Sequence, residues 1–257
     1  MSPTVVCGNN LRTRLLGMAR KKFGWLLTVG LAVGALTVLR PGLPETGIKP
    51  SNLLGQVDVP GTVQRTDVDG LRGSETLQKL DMLQVKGRAP KTGYDRPVVF
   101  GPAWKDTDRN GCDTRNDILR RDLKNVESKP GTNNCVILSG TLSDPYTGAE
   151  ISFRRGQHTS SLVQIDHVVA LSNAWQTGAQ QLSQPQRESL ANDPDNLLAV
   201  EGAANMAKSD GDAATWLPPN KGFRCAYVSR QVQVKSKYGL WVTPAEKQAI
   251  IRVLKTC

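Results

Sequence analysis

Histidine and cysteine are scarce in this sequence, and those present are not spaced as metal sites require. The 257 residues include two histidines, His158 and His167, and five cysteines, none of them in a C-x-x-C pair. This argues against a structural zinc site, which needs four such ligands at close spacing. Proline and glycine are too few and too irregular for a fibrous protein, and no internal repeat is visible. The 39% of hydrophobic residues instead indicate a globular chain of one or two domains.

Acidic residues are absent from the first 40 positions, which hold six of the 33 basic residues. The rest of the chain therefore carries 27 basic and 23 acidic residues, a net charge of +4 against +10 for the whole sequence. A mild positive charge permits nucleic-acid binding but does not by itself indicate it.

The basic N-terminus is followed by an uncharged run of 17 residues, Phe23 to Leu39. A basic segment before an apolar stretch is typical of export signals. The run is long for a cleaved signal peptide and short for a membrane span, so both alternatives stay open. We predict that residues 1–40 direct the chain to secretion, or to membrane attachment through residues 23–39 at the outer face of the cytoplasmic membrane.

Proline and glycine are concentrated between this leader and the remainder of the chain. Residues 41–73 include Pro41, Pro44 and Pro60 with several glycines, a composition typical of a flexible linker. The folded domain is predicted over residues 74–257 and opens with a helix at Ser74.

Short strands and separate helices are predicted within this domain, which indicates an α+β fold. Helices are predicted at 113–126, at 202–208 and from Thr243 onwards, and strands at 135–142, 150–153, 162–169 and 196–200. The last helix has the strongest signal, because Thr243, Pro244 and Glu246 combine an N-cap, a first-turn proline and a capping box.

Four cysteines lie beyond the leader, and two disulfides in an oxidising compartment account for them best. Four cysteines allow three pairings. Proximity in the sequence favours Cys112–Cys135 and Cys225–Cys257.

An aspartate and a histidine stand side by side within the apolar strand predicted at 162–169. Neighbouring side chains of a strand point to opposite faces, so Asp166 and His167 cannot simply pair with each other. Burying both is unfavourable unless each has a partner of its own. Asn196 and Asn205 follow further along, and Lys208 comes three residues after the second asparagine.

This order of residues resembles that of the HNH nucleases. From about Leu83 to the C-terminus, the chain is similar to the secreted HNH endonuclease family, which is related to the C-terminal domain of GmrSD-type restriction enzymes within the His-Me finger (ββα-metal) superfamily. The similar segments are VKGRAPKTGY at 85–94, GCDTRND at 111–117, DPYTG at 144–148, IDHVV at 165–169 and WLPP at 216–219. The resemblance implies a single domain built around a ββα-metal finger. It also implies an endonuclease for nucleic acid, and DNA is expected in preference to RNA. The sequence contains no recognition-helix or zinc-finger pattern, so little sequence specificity is expected.

The resemblance further implies a role for each motif residue. His167 corresponds to the general base, Asp166 and Asn205 to ligands of one divalent cation, and Asn196 to the residue that pins the finger loop. Mg²⁺ is the expected cation and Mn²⁺ the alternative, because a few hard oxygen ligands leave room for water and phosphate.

Three basic residues, Arg115, Arg155 and Lys208, are candidate contacts for substrate phosphates. Two positions depart from the HNH pattern. Ala170 stands where many members carry proline, which affects only the local loop, and Asn205 replaces the name-giving histidine, as it does in active members of the superfamily. No partner protein is predicted.

A second metal-binding pattern lies outside the finger. Asp106, Asp108, Asn110 and Asp117 match an EF-hand-like calcium loop, although such clusters also form ordinary turns. The rival interpretation is therefore a catalytically silent, calcium-stabilised envelope binding protein that keeps the finger as a scaffold. The complete HNH residue set argues against this rival.

Overall fold

Helices and short strands alternate along residues 65–257, the part of the chain that this computed structural model describes. In chain order the elements are α1 (Arg65–Met82), α2 (Arg96–Phe100), α3 (Thr114–Asp122), β1 (Leu123–Ser128), β2 (Ile137–Ser143), β3 (Glu150–Arg154), β4 (Val163–His167), α4 (Leu171–Gln176), α5 (Gln184–Asn192), β5 (Leu197–Glu201), α6 (Gly202–Lys208), α7 (Arg224–Lys237) and α8 (Pro244–Leu254). Strands β1, β2 and β3 form one antiparallel sheet, and β4 pairs antiparallel with β5. The predicted α+β class is confirmed.

The predicted leader at 1–40, with its apolar run at 23–39, lies outside the described residues, and so does the predicted linker as far as residue 64. None of the helices between residues 65 and 257 combines the length and apolar character that a membrane span requires.

Capping and turn residues in the sequence predict the positions of several helices and strands correctly. Helix α8 begins where its capping box predicts: the Glu246 N–H donates to the Thr243 hydroxyl over 3.1 Å, and the Thr243 N–H donates to the Glu246 carboxylate over 3.3 Å. The turn at 144–148 joins β2 to β3, and the strands predicted at 162–169 and 196–200 pair with each other as β4 and β5.

Two helix boundaries differ from the prediction. The first helix begins at Arg65 and not at Ser74. The helix predicted at 113–126 ends at Asp122, and Leu123 starts a strand opposite Leu142. Leu123 is buried, so the apolar periodicity is real, but pairing with β2 fixes the backbone conformation from Leu123 onwards. Tertiary pairing therefore overrides local propensity at this point.

The β4–β5 hairpin is covered on both faces. On one face the helix-side core contains buried side chains of α1, α7, α8 and the hairpin, among them Leu80, Leu198, Val200, Tyr227 and Ile250. On the other face the sheet-side core contains buried side chains of α3, β1, β2, β3 and the hairpin, among them Ile118, Leu142, Phe153, Ile165 and Leu197. Two hydrophobic layers thus hold the hairpin in a fixed orientation.

Both predicted disulfides are present. Cys112, just before α3, bonds to Cys135, just before β2, with a Cα–Cα distance of 5.0 Å. Cys225 in the first turn of α7 bonds to the C-terminal Cys257, with a Cα–Cα distance of 5.9 Å. The pairing favoured by sequence proximity is confirmed.

The junction between β5 and α6 requires a residue without a side chain. A Cβ atom added to Gly202 would lie 2.1 Å from the carbonyl oxygen of Ser161, the backbone just before β4. Gly202→Ala is therefore expected to lower the free energy of unfolding by roughly 2–3 kcal/mol, because the helix must move away from the hairpin. Urea unfolding of the oxidised protein measures this change. Gly87→Ala is the control, since no atom lies within 4 Å of its added Cβ. Equal stability of the two variants would contradict the prediction.

Candidate functional site

A hairpin and a short helix carry the motif residues. Strands β4 and β5 pair with each other, so that His167 lies opposite Leu197, and α6 follows β5 directly. Asp166 and His167 are the last two residues of β4, and Asn205 lies on α6. All three residues line one open cleft of about 430 Å³ at this end of the strands. The fold therefore brings together residues that are far apart in the sequence.

Asp166 and His167 point to opposite faces of the hairpin, as strand geometry predicts. Asp166 is paired with Leu198, which belongs to the helix-side core. His167 is paired with Leu197, which belongs to the sheet-side core. Each polar side chain consequently has its own set of partners.

His167 is held by a backbone carbonyl and an indole ring. Its Nε2 lies 2.8 Å from the carbonyl oxygen of Ala191 in α5, and the ring of Trp104 stacks on the imidazole with centroids 6.0 Å apart and planes 17° apart. A carbonyl oxygen can only accept a hydrogen bond, so Nε2 carries the proton and Nδ1 of the neutral ring keeps its lone pair. The arrangement leaves His167 with one defined basic atom.

Burial controls the charge of His167. The residue is 7% exposed. Burial, together with the positive charge of Arg96, lowers its pKa to about 3. His167 is therefore unprotonated at neutral pH, which is the form that a general base requires, although the same shift weakens it as a base.

Asp166 lies in a buried network on the other face. Its Oδ1 accepts a hydrogen bond from the Lys208 ammonium over 2.9 Å, and its Oδ2 accepts one from the Tyr146 hydroxyl. Burial raises the pKa of Asp166, and the ammonium and the hydroxyl oppose that rise. The carboxylate is thus fixed in position by two donors.

Lys208 does not occupy the place predicted for it. Its side chain is 0% exposed, and its ammonium binds the Asp166 carboxylate and, over 2.9 Å, the carbonyl oxygen of His167. The prediction of a phosphate contact at Lys208 is corrected by this geometry. Helix α6 packs against β4, so Lys208, near the end of that helix, points into the protein and positions Asp166.

Asn196 occupies the position expected of the residue that pins the finger loop. It is fully buried just before β5. Its Oδ1 accepts the N–H of Val169 over 2.8 Å, and its Nδ2 donates to the carbonyl oxygens of Val169 and Leu190. Its own carbonyl accepts the N–H of Val168 over 2.8 Å. These bonds fasten both ends of the connection between β4 and β5.

The donor atoms in the cleft suit a hard divalent cation. The Asn205 Nδ2 donates to the Gln164 Oε1 over 2.8 Å, which leaves the Asn205 Oδ1 as an acceptor. Each oxygen of Asp166 uses one lone pair on Tyr146 or Lys208 and retains another. One carboxylate and one amide oxygen, with the cleft open to solvent, match the preference of Mg²⁺ for few protein ligands and several waters.

Arg115 and Arg155 lie near each other, away from the cleft. The Arg115 guanidinium donates to the carbonyl oxygen of Val163, at the first residue of β4, and Arg155 Nε donates to that of Ile137 over 2.6 Å. Burial, with the charge of Arg155, lowers the pKa of Arg115. Arg155 also borders an open groove of about 630 Å³ on the three-stranded sheet, which contains none of the motif residues. Phosphate contact by these two arginines stays a prediction.

The predicted calcium ligands surround one turn. The N–H of Asn110 donates to the carboxylates of Asp106 and Asp108 over 3.2 Å each, and the N–H of Gly111 donates to Asp106 over 3.0 Å. Burial and the neighbouring carboxylates of Asp108 and Asp106 raise the pKa of Asp117. Within residues 65–257, no group of three or more histidine, cysteine, aspartate or glutamate side chains is arranged to hold a metal ion. The loop is closed by its own N–H groups, and calcium binding there stays a prediction.

Two residues outside the finger contribute to the site without any local sequence signal. Arg96, the first residue of α2, lines the cleft, and Trp104 stacks on His167. Trp104 adopts a φ of 61°, a conformation that bulky residues rarely take, and its carbonyl accepts the N–H of Thr114 at the start of α3. Both residues precede β4 by a long stretch of chain, so only the tertiary fold brings them to His167.

Two antiparallel strands and a helix that place an Asp-His pair and an asparagine around one cleft define a ββα finger of the His-Me type. Residues 113–253 match the family described as GmrSD restriction endonucleases, C-terminal domain. The chain belongs to this family.

One relative comes from a fungus and matches more than half of the chain. It is named "Uncharacterized secreted protein", comes from Arthroderma benhamiae (strain ATCC MYA-4681 / CBS 112371), and is 41% identical over 180 residues, which cover 69% of this chain and 82% of the relative. No solved structure matches the chain.

Proposed function

We propose that this chain is an exported, divalent-metal-dependent endonuclease that hydrolyses phosphodiester bonds of DNA. The observation that carries the proposal is the shared cleft of Asp166, His167 and Asn205 on a ββα finger. Membership of a restriction endonuclease family supports nucleic acid as the substrate. Within that class, DNA is the substrate that we propose.

His167 acts as the general base in this proposal. Its Nε2 is engaged by the Ala191 carbonyl, so Nδ1 is the atom that takes a proton from the attacking water. An anionic phosphate in the cleft would favour the imidazolium and thus raise the pKa of His167 from its low value in the free protein. Stacking on Trp104 keeps the plane of the ring fixed while the proton moves.

Asp166 and Asn205 would hold one Mg²⁺ ion, with Mn²⁺ as the alternative. When bound, such a cation offsets charge on the phosphate and on the leaving oxygen. Lys208 and Tyr146 hold the Asp166 carboxylate in place for this role. Pre-positioned ligands matter because Mg²⁺ demands near-ideal octahedral geometry.

Recognition in this proposal rests on the nucleic-acid backbone. Within residues 65–257, no group of histidine, cysteine, aspartate and glutamate side chains is arranged as a zinc site, and the sequence shows no recognition-helix pattern. Phosphate contacts position a protein on DNA without reading its sequence. We therefore expect cleavage with little sequence preference.

Export is part of the same proposal. The fungal relative is named as a secreted protein, and all four cysteines within residues 65–257 form disulfides, as is usual in oxidising compartments. These two observations support secretion of this chain as well.

Digestion of supercoiled plasmid is the test of the proposed activity. The oxidised protein is expected to nick and then linearise the plasmid with Mg²⁺ or Mn²⁺, and EDTA should stop the reaction because the cation is removed. Asn205→Ala should raise the Mg²⁺ concentration needed for half-maximal rate, whereas Asn205→Asp retains an oxygen ligand and should not. Plasmid left intact by folded protein at every Mg²⁺ and Mn²⁺ concentration would contradict the proposal and favour the silent binding protein.

A further inference from the structure

The cleft contains a cationic residue that the finger does not supply. Arg96 is the first residue of α2, whose buried side chains Val99 and Phe100 anchor the helix against α4 and α5. Arg96 itself is exposed and lines the same cleft as His167. A packed helix therefore brings an arginine to the cleft that His167 lines.

Arg96 differs from the other cation in the cleft. Lys91 is paired with Asp210 over 3.7 Å and also lies over the ring of Tyr94. For Arg96, no carboxylate among residues 65–257 lies within salt-bridge distance.

We propose that Arg96 binds a phosphate of the substrate in the cleft, next to the position at which His167 acts. This inference rests on the proposed endonuclease function and names a substrate-binding residue for it. The planar guanidinium presents two parallel N–H donors that match two phosphate oxygens, a geometry that a lysine ammonium lacks. The phosphate would also supply a negative counter-charge to the Arg96 guanidinium, which has no carboxylate partner among residues 65–257.

Arg115 and Arg155 are weaker candidates for this position. Arg115 donates to the carbonyl oxygen of Val163, at the end of β4 opposite to His167, and Arg155 donates to that of Ile137, the first residue of β2. Neither lines the cleft. Arg115 and Arg155 can contact phosphates further along a bound DNA strand, but not the phosphate next to the general base His167.

Kinetics on DNA test the role of Arg96. Arg96→Ala is expected to lower kcat/KM about 10- to 100-fold, as loss of one charge-assisted hydrogen-bonding group does, and Arg96→Lys should recover only part of that loss. Arg120→Ala is the matched control, because Arg120 is exposed on α3, has no ion pair in the described part of the chain and lies outside the cleft. Melting temperatures of all variants should stay close to wild type, since both arginines are exposed.

A binding measurement separates phosphate contact from an indirect effect. In the inactive His167→Ala protein, the logarithm of the DNA-binding constant decreases as the logarithm of the salt concentration increases. Adding Arg96→Ala should make this negative slope on duplex DNA shallower by about 0.9. Adding Arg120→Ala should leave the slope unchanged. If wild type cleaves DNA but Arg96→Ala matches Arg120→Ala in both kcat/KM and slope, the role of Arg96 is refuted while the endonuclease stands. If wild type neither cleaves nor binds DNA, both proposals fail.

Discussion

Replacement of His167 by alanine is expected to slow DNA hydrolysis about 10²- to 10⁴-fold, the usual loss when a positioned general base is removed. The residue supplies the Nδ1 lone pair beside the cleft, and no other histidine lies there, since His158 is an exposed residue that does not line it. Single-turnover cleavage of plasmid at saturating Mg²⁺ measures the effect on the chemical step.

His158→Ala is the matched control for this prediction. It removes an imidazole from the polar loop before β4 and should leave the rate unchanged. Affinity of His167→Ala for DNA should also stay close to wild type, because the lost group moves a proton and is not required to hold the substrate. A His167→Ala protein that cleaves at the wild-type rate would show that the base lies elsewhere.

Replacement of Lys208 by methionine is expected to destabilise the domain by about 3–5 kcal/mol, because it leaves the buried Asp166 carboxylate without its counter-charge. For a domain of this size the corresponding drop in melting temperature is about 6–20 °C. The loss should become smaller as the pH is lowered. Asp166 then takes up a proton in the folded state, where burial already raises its pKa, and a neutral carboxyl needs no counter-charge.

Thermal unfolding at two pH values tests the buried pair. Lys129→Met is the control, because this exposed lysine has no ion pair within residues 65–257 and should change stability little. The double variant Asp166→Asn with Lys208→Met should recover much of the loss, since both charges leave together. Additive losses in the double variant would show that the two groups do not stabilise each other.

The parts of the fold that the sequence predicts are those governed by local chemistry. Thr243 and Glu246 cap α8 with their own side chains, and the turn at 144–148 closes a hairpin between adjacent strands. The prediction fails at Leu123, because the apolar spacing of α3 continues into a residue whose conformation β2 determines. Helices α4 and α5 have weak apolar stripes and lie within a connection, so periodicity alone does not reveal them.

The same distinction between local chemistry and tertiary packing determines which residues of the candidate site the sequence predicts. Asp166 and His167 are adjacent in the sequence, and Asn205 is on the first helix after the hairpin. A linear sequence motif is therefore sufficient to identify all three residues. Lys208 belongs to the same linear motif, but its direction depends on how α6 packs against β4. Arg96 and Trp104 reach the cleft from other elements, and their positions follow only from tertiary packing.

The carbonyl that orients His167 belongs to Ala191, in the long connection between β4 and β5. The connection also provides the Leu190 carbonyl for Asn196. A shortened domain in which a tight turn joined the two strands would retain the Asp-His pair, yet the imidazole could then rotate and exchange tautomers. Transplanting this finger into another scaffold therefore requires the connection to be kept with the two strands, because it contains the carbonyls that hold His167 and Asn196.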